Sequence, residues 1–537
     1  MKTLDSQHHK REYLWLKIFV IFLLLLGIYF RFVNLDQKVY WTDEVYTSLW
    51  LSGHPSTEII DKFYHGEIVN VGILQQYQQV NPAQGISSAI KRLAVEDSQH
   101  PPLYYILAWL WSAWFGSSVG TIRSLSAIIS VLSLISIYYL CRELFALPLT
   151  RWMAVSLIAI SPFHVLYAQE AREYSLWTLT IIIANYAILL ALRKNTFFTW
   201  FIYAISLSLS FYTFLFSIFV ALGHGIYILG INRFKKTQSL IAYLLSVTAA
   251  IIAFIPWLIV IYQGKISGRI QRLDWITEAT SLPALIGKWL LNLTRIFLDW
   301  VIINENTSFK EIVWLIPFTL VLIVLIGYGF YYLCRSTLKT TWFFLFILSL
   351  TTATALVIPD IISGGRRSGV ARYLIPTFLG IQLTVAHLLA SKSVSIQSIK
   401  WQNIWRLITI FIISCGVISC VIISSAGIWW NKGAANNLRL DQVAAVINQT
   451  PHPIVISDAK FPYILGLTHI VNSDVNFQLT TQPQDLVIPK VKDNLFLLYP
   501  SRNLYKYLKG KYNLESLYIG KKPVFGLWKL QAVNQRN

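Results

Sequence analysis

The chain has 537 residues, of which 55% are hydrophobic and only 13% are charged. A soluble domain carries about 25% charged residues. Many apolar runs here exceed the ~20 residues that cross the hydrocarbon core of a bilayer. These features exclude an ordinary soluble protein and predict a polytopic membrane protein. The formal net charge of +20 is typical of basic cytoplasmic loops that contact anionic head groups, and no separate basic domain indicates nucleic-acid binding.

Eleven apolar segments are predicted to span the membrane. The first, from Tyr13 to Phe32, is too long for a cleaved signal peptide and has no small-residue cleavage site. The short loops between alternate segments are rich in Lys and Arg, which predicts a cytoplasmic N-terminus. The predicted outer loops are 34–121, 263–311 and 359–373, and the last of them is short and basic. The predicted spans are 13–33, 122–141, 152–168, 174–192, 197–213, 214–231, 238–262, 312–334, 340–358, 374–391 and 404–428.

The apolar segment Leu103–Phe115 has only 13 residues and is rich in Trp and Tyr. If it crossed the membrane, the basic loop at 142–151 would lie outside. We therefore predict a helix lying at the outer interface, where amphipathic aromatic side chains prefer to be. A second interfacial helix is predicted near Leu282–Trp300.

The chain changes character after the last span. Residues 429–537 are more polar and show the alternation of strands, which predicts a small α/β domain outside the membrane, separate from a transmembrane domain at 1–428. The predicted elements are strands at 454–457, 475–479 and 494–499 and helices at Leu440–Asn448 and Asn503–Leu508. The four cysteines lie in or beside apolar runs and predict no disulfide framework.

Two adjacent carboxylates, Asp43 and Glu44, follow the first span within the sequence Tyr40-Trp-Thr-Asp-Glu-Val-Tyr-Thr47. A solvated or helix-capping pair is the simpler interpretation. The alternative is a general base, since a carboxylate near a low-dielectric boundary can accept a hydroxyl proton. Aromatic neighbours such as Tyr46 could then support a sugar ring.

Two further outer segments carry charged groups. The sequence His100-Pro-Pro-Leu-Tyr-Tyr105 is typical of a helix start, and His100 could also help to bind an anion there. The turn between the spans at 152–168 and 174–192 contains Glu170, Arg172 and Glu173. It is either a charged interfacial turn or the second wall of a pocket that begins at Asp43.

Arg366, Arg367 and Arg372 cluster in the outer loop at 359–373, on the side that usually avoids positive charge. They could contact lipid head groups, or they could bind phosphate through charge-assisted hydrogen bonds. His164, His224 and His387 lie in apolar runs and are more typical of structural histidines. The spacings predict no metal site and no cofactor, although a divalent metal is left open.

The order and sidedness of these motifs resemble the GT-C glycosyltransferases. The resemblance is strongest to family 39, which includes protein O-mannosyltransferases and the lipid A aminoarabinose transferase. It rests on Asp43-Glu44, the His100-Pro-Pro-Leu-Tyr-Tyr segment, the sequence from Ala168 to Ser175 and Arg372-Tyr-Leu-Ile-Pro376. It implies a polyprenyl-phosphate-linked sugar donor, a lipid, glycan or protein acceptor and inverting transfer on the outer face of the membrane.

The resemblance also implies roles for individual residues. The aminoarabinose transferase has a lysine where this chain has His100, so the phosphate contact would be weaker or pH-dependent here. The protein mannosyltransferases carry a different inserted domain, which argues against their specific activity. The implied residues are Asp43, Glu44 and Glu173 for catalysis; His100, Arg172, Arg366, Arg367 and Arg372 for donor phosphate; and Tyr46, Tyr104, Glu170, Tyr174 and Tyr373 for substrate.

Two other functions are compatible with the sequence. One is a sugar-lipid ligase or polymerase of the same superfamily, and the other is a non-enzymatic lipid flippase or transporter. Charged residues are nearly absent from span interiors, which favours surface chemistry over transport. We therefore predict a glycosyltransferase of the bacterial inner membrane whose partners are the lipid-linked donor, its acceptor and membrane lipids, without nucleic acid.

Overall fold

The computed structural model describes residues 2–268, 274–300, 313–394, 398–432, 440–489, 494–519 and 526–531. Most of these residues form helices, and a single mixed sheet lies near the end of the chain. The predicted class, a helical polytopic membrane protein with a small α/β region, is confirmed. The chain is therefore an integral membrane protein.

Within the described residues, each of the eleven predicted spans coincides with a helix or a pair of helices; residue 312, where the predicted span 312–334 begins, lies outside them. Among the described residues, seven helices are long and apolar enough to cross a membrane, or eight if one bent pair counts as a single span. The number of eleven spans therefore stays a prediction. The helices at these positions are Lys2–Phe32, Val119–Leu144, Pro148–Ala159 with Pro162–Ala168, Tyr174–Lys194, Phe197–Phe211, Ser217–Ile231, Gln238–Ile266, Leu315–Ser336, Lys339–Ser363, Ile375–Lys392 and Ile399–Ser425.

The bent pair replaces the continuous span predicted at 152–168. Pro148–Ala159 and Pro162–Ala168 meet at 56°. Pro162 has no backbone N–H and its ring obstructs a continuing helix, so the first helix ends and a new one begins at this residue. The second helix leads directly into the charged turn at residues 169–173.

The first outer loop is folded into short helices and one strand. The predicted interfacial helix has the observed bounds, Leu103–Phe115, with Trp114 exposed and Tyr104 buried. The second predicted interfacial helix ends earlier than Trp300, at Leu282–Thr294. The other elements of the first loop are Thr42–Ser52, Ser56–Phe63, Val71–Gln76, Gly85–Glu96 and strand β1 at His65–Asn70.

The sheet has six strands in the order β1-β3-β2-β4-β6-β5. Its central strands β2, β3 and β4 overlap the predicted strand segments, and β2 is parallel to both neighbours. The sequence did not predict β1, β5, β6 or the helix Phe461–Thr468. Besides β1, the strands are β2 Ile454–Ser457, β3 Asn476–Thr480, β4 Leu495–Leu498, β5 Asn513–Ile519 and β6 Gly526–Gln531; the remaining helices are Leu440–Ile447 and Arg502–Lys509.

The first outer loop and the C-terminal region share a hydrophobic core. Strand β1 pairs antiparallel with β3. Val45 and Leu49, from the helix Thr42–Ser52, lie in the same buried cluster as Leu465 and Phe477. At Gly466 a Cβ atom would lie 2.5 Å from the carbonyl oxygen of Tyr40, so the close helix contact requires glycine. The predicted domain boundary between residues 428 and 429 stays a prediction. The sheet takes its edge strand β1 from the N-terminal side of that boundary.

Candidate active site

The site is built around Asp43, in the first turn of the helix Thr42–Ser52. Carboxylates are favoured there because the unpaired N–H groups give the N-terminus a partial positive charge. The Asp43 side chain is 28% exposed, and its Oδ2 lies 4.0 Å from Nη2 of Arg372. Thr47 Oγ1 donates to the Asp43 carbonyl oxygen at 3.1 Å. Asp43 is therefore an accessible carboxylate beside a cation.

Arg372 lies among aromatic rings on one side of Asp43. Its guanidinium carbon is 5.4 Å from the centroid of Tyr174, 5.7 Å from that of Tyr373 and 6.0 Å from that of Trp41. Within the described ranges its Nε is buried and has no hydrogen-bond partner. The predicted residues Arg372, Tyr174 and Tyr373 are thus brought together, and the cation keeps a donor for an anionic ligand.

His100 and Glu173 form the opposite part of the site. Nδ1 of His100 lies 2.8 Å from Oε1 of Glu173, and Tyr105 donates its hydroxyl to Oε2 at 3.1 Å. Burial would raise the pKa of Glu173, but the charges of Arg172 and His100 outweigh burial and hold that pKa far below its usual value. Glu173 is a buried carboxylate, and the catalytic role predicted for it would require these partners to move.

The pKa of His100 is raised by its surroundings. Burial lowers it, but the carboxylates of Glu173 and Asp97 outweigh both burial and the repulsion from Arg172. The imidazole is 22% exposed, and Nε2 lies 3.6 Å from Oδ2 of Asp97. His100 is therefore a partly accessible group whose cationic form is stabilised by two neighbouring carboxylates.

Arg172 connects this group to Asp43. Its Nη1 donates to the Asp43 carbonyl oxygen and to Thr47 Oγ1, each at 3.3 Å. Its Nη2 lies 3.2 Å from Nε2 of His100. The predicted residues Asp43, His100, Arg172 and Glu173 thus form one connected cluster, in which Arg172 is buried and Asp43 is accessible.

Glu44 points away from this cluster into the protein. Arg123 donates to it with Nε at 2.7 Å and Nη2 at 2.6 Å, Lys432 Nζ donates at 2.9 Å, and the N–H of Ala171 donates at 2.9 Å. Burial raises its pKa, but Arg123 and Lys432 lower it to about 2. The predicted catalytic residue Glu44 is fully buried and engaged, so its geometry suits holding the helix Thr42–Ser52 in place.

Glu170, predicted to bind substrate, is also fully buried. Asn431 donates its side-chain amide to Oε1, and Oε2 has no hydrogen-bond partner among the residues with described positions. Burial raises the pKa of Glu170 to about 8, so the neutral carboxylic acid is favoured at pH 7. Its position suits contact with Asn431 rather than with a solvent-accessible substrate.

Tyr46 and Tyr104, both predicted to bind substrate, lie in different environments. Tyr46 is half-buried, stacks on Trp50 at 6.0 Å and meets the edge of Phe461 at 5.7 Å. Tyr104 is fully buried and shares a hydrogen bond of 3.0 Å with Ser126. Tyr46 alone of the two is open to a ligand beside Asp43.

The two other arginines of the predicted phosphate cluster are paired with carboxylates. Arg367 Nη1 lies 3.0 Å from Oδ1 of buried Asp360, whose Oδ2 also accepts the backbone N–H of Ser368 at 2.7 Å. Arg366 Nη2 lies 3.0 Å from Oε2 of the exposed Glu278. These pairs hold the loop at 364–369 beside Arg372 and partly neutralise both arginines.

The sequence interpretation missed the buried cations around Glu44 and Gln169. Arg123 and Lys432 contact Glu44, and Lys38 donates to the side chain of Gln169. Burial and the charges of Lys432 and Arg123 lower the pKa of Lys38 to about 7. A signal was present, since Arg123 is a lone charge at the start of an apolar run, but no local motif assigns these residues a partner.

Metal binding was left open, and no group of three or more His, Cys, Asp or Glu side chains suited to a metal occurs in the described part of the chain. The carboxylates nearest Asp43 are engaged by arginine, lysine and histidine instead. The described arrangement therefore suits an anionic ligand, held beside one accessible carboxylate.

Comparisons with known proteins find a family match over part of the chain and several similar solved structures. Residues 99–260 match the family model of dolichyl-phosphate-mannose-protein mannosyltransferase. This segment contains His100, Arg123, Glu170, Arg172 and Glu173. Among curated proteins, none matches the chain significantly.

Several solved structures have a similar course of the chain at low sequence identity. ArnT from Cupriavidus metallidurans, bound to undecaprenyl phosphate, is 12% identical with a TM-score of 0.49, over 95% of this chain and 98% of that chain. The oligosaccharyltransferase AglB from Archaeoglobus fulgidus, in complex with an inhibitory peptide and a dolichol-phosphate, is 12% identical with a TM-score of 0.48, over 97% and 75%. The arabinofuranosyltransferase AftD from Mycobacteria is 10% identical with a TM-score of 0.42, over 81% and 36%.

The family match covers the charged turn and the His100 segment, two of the motifs on which the sequence resemblance rests. Over residues 99–260, the resemblance of this chain to the GT-C glycosyltransferases of the family 39 type is confirmed.

Proposed function

We propose that the protein is a membrane glycosyltransferase that moves a sugar from a polyprenyl-phosphate carrier to a hydroxyl acceptor on the outer face of the bacterial inner membrane. The observation that carries the proposal is the pairing of a partly exposed carboxylate, Asp43, with the guanidinium of Arg372 at 4.0 Å. A base for the acceptor and a cation for the donor phosphate lie side by side, as single-step transfer requires.

The proposed reaction is an inverting displacement. The acceptor hydroxyl oxygen attacks the anomeric carbon of the donor sugar and forms the new glycosidic bond. The bond from that carbon to the phosphate oxygen breaks, and its electron pair leaves with the polyprenyl phosphate. Asp43 takes the hydroxyl proton, and Arg372 stabilises the charge that grows on the leaving phosphate.

Aromatic and cationic side chains divide the site between donor and acceptor. Arg372 with Tyr174 and Tyr373 suits the phosphate and the first sugar, since a weakly hydrated guanidinium stacks on rings and binds phosphate in a fork. His100 and Arg172 supply further positive charge behind Asp43. Tyr46 lies on the side of Phe461 and suits an acceptor that is a lipid, a glycan or a protein.

The donor can be identified directly. The protein is purified in mild detergent, and lipids that remain bound are extracted and analysed by mass spectrometry. A polyprenyl monophosphate carrying one sugar supports the proposal. A polyprenyl diphosphate carrying a preassembled glycan would instead favour the ligase or polymerase of the same superfamily.

The Arg372→Met variant is expected to lower kcat/KM for the donor by about 10²–10³-fold, the usual effect of losing one preorganised charge-stabilising group. Methionine keeps an apolar side chain among the same rings, so the loss reports the charge. The measurement is transfer from the identified donor in detergent. Arg193→Met serves as the matched control, because Arg193 is 56% exposed and pairs with Glu143. Equal activities of the two variants would rule out Arg372 as the phosphate ligand.

Donor binding should also depend on pH through His100. Its pKa is raised, so the cation is fully present below the ordinary value and is lost as pH rises through the raised value. The KM for the donor is therefore expected to rise with pH in that range. In His100→Lys the side chain keeps its charge to higher pH, and the KM should stay flat from pH 6 to about 9. The same pH dependence in both proteins would exclude His100 from donor binding.

A further inference from the structure

The four residues 429–432, which we name the junction segment, follow the last predicted span. Trp429 and Trp430 donate their indole N–H groups to Oδ2 of Asp299, at 2.8 and 2.6 Å. The next two residues, Asn431 and Lys432, reach Glu170 and Glu44. The junction segment thus contacts three separate outer elements through hydrogen bonds to their carboxylates.

Lys432 is the charged residue of this segment, and it is buried. Its side chain is 1% exposed, and its Nζ donates to Oε2 of Glu44 at 2.9 Å and to the carbonyl oxygen of Val39 at 2.8 Å. Burial and the charge of Arg123 lower its pKa to about 8, so the cation is held against both effects by its contact with Glu44. The two bonds join the residues before the helix Thr42–Ser52 to its first turn.

The neighbour of Glu44 in that turn is Asp43. The Glu44 side chain is fully buried while Asp43 is 28% exposed, so the two carboxylates leave the helix in different directions. A group that fixes Glu44 therefore fixes the backbone from which Asp43 projects. On the outward side the Asp43 carbonyl oxygen accepts from Arg172 at 3.3 Å.

Arg123 and Lys432 divide the support of Glu44 between them. Arg123 contacts both carboxylate oxygens and the carbonyl oxygens of Leu35, Lys38 and Val39. It can neutralise Glu44 alone, so the helix keeps its main anchor without Lys432. What Lys432 adds is a second donor to Oε2 from a segment that leads into the C-terminal region.

We propose that Lys432 is a positioning residue for Asp43, which it holds in place to accept the hydroxyl proton through its contacts with Glu44 and Val39. The junction to the C-terminal region then forms part of the catalytic unit. This rests on the proposed function, in which Asp43 is the base. The substitution of Lys432 should then impair the attack step without weakening the hold on the donor, whose proposed phosphate ligands are Arg372 and His100.

The test compares Lys432→Met, Lys432→Arg and the matched control Lys509→Met in the full-length protein. Lys509 is exposed on the helix Arg502–Lys509 of the same C-terminal region. Since a misplacement of about 1 Å can cost 10²-fold in rate, kcat of Lys432→Met should fall by about 10–100-fold. The KM for the donor should change less than about twofold, and Lys432→Arg should recover part of kcat.

The pH profile supplies a readout that a purely structural role would not move. Loss of one of its two cations raises the pKa of Glu44. A protonated Glu44 no longer pairs with Arg123 to hold the turn that carries Asp43, so the acid limb of kcat should shift to higher pH in Lys432→Met. The other titratable or charged groups that influence Glu44 are Arg123, Tyr40, Tyr104, Glu170 and His469, and the variant leaves them all in place.

Two outcomes would overturn the proposal. One is a Lys432→Met enzyme with the kcat and pH profile of Lys509→Met. The other is a loss explained by a reduced amount of folded protein, with kcat per folded molecule and the acid limb unchanged. The Asp43→Asn variant tests the proposed function separately. If Asp43→Asn stays active, Asp43 is not the base, and this conclusion does not depend on the result for Lys432→Met.

Discussion

The Asp43→Asn variant is expected to lose transfer by about 10²–10⁴-fold, the usual contribution of a positioned general base. Asparagine has the shape of aspartate but cannot accept the hydroxyl proton. The carboxylate is 28% exposed and lies 4.0 Å from Arg372, so its loss removes only a long ion pair and should leave folding intact. The measurement is the rate of transfer from the identified donor, together with the thermal unfolding midpoint in detergent.

Asp36→Asn is the matched control, because Asp36 is an exposed aspartate of the same outer loop. It should retain the wild-type rate. Donor binding by Asp43→Asn should persist, since the phosphate ligands in the proposal are Arg372 and His100. If Asp43→Asn transfers sugar at a rate near that of Asp36→Asn, Asp43 is excluded as the base.

The membrane part of the fold could be predicted well from the sequence. Run length and loop charge report local properties of each segment, and every predicted span falls on helical structure. The interfacial helix Leu103–Phe115 was predicted with its observed bounds because an aromatic 13-residue run is too short to span. The break at Pro162 was missed, since hydropathy does not distinguish a straight helix from a bent pair.

The C-terminal sheet was predicted only in part, for a physical reason. Strands β2 and β4 have continuous apolar runs that pack on both faces, which local pattern detects. Strand β1 has the sequence His-Gly-Glu-Ile-Val-Asn, which has little apolar alternation. It pairs with a strand about 410 positions away, for example Ile68 with Gln478, and no local signal predicts such a partner.

The candidate site was also predicted only in part, and for the same reason. Sidedness alone predicted that Asp43, His100, Arg172, Glu173 and Arg372 lie on one face, and the structure brings them together. The sequence did not separate Asp43 from its neighbour Glu44. Only the distant partners make that distinction, because Glu44 contacts Arg123 and Lys432, which lie 79 and 388 positions further along the chain.

The largest effect on stability is expected from Arg123→Leu. Arg123 is fully buried and donates five hydrogen bonds shorter than 3.0 Å, two to Glu44 and three to backbone carbonyl oxygens at Leu35, Lys38 and Val39. Removing one partner of a buried ion pair typically costs about 3–5 kcal/mol, because the other charge stays buried without compensation. The measurement is the thermal unfolding midpoint in detergent. Arg142→Leu, at the exposed end of the same helix, is the matched control and should change the midpoint little.

A double variant tests why Arg123→Leu lowers the stability of the fold. If the penalty of Arg123→Leu comes from the uncompensated charge of Glu44, then Glu44→Leu added to Arg123→Leu should recover part of the lost stability, and the two substitutions will not be additive. Arg123→Lys should lie between wild type and Arg123→Leu, since an ammonium group keeps the charge but cannot reproduce the planar fork that meets both oxygens of Glu44. Equal midpoints for Arg123→Leu and Arg142→Leu would contradict this account. They would mean that the helix Thr42–Ser52, and Asp43 with it, is held by its apolar core contacts through Val45 and Leu49 rather than by the buried pair.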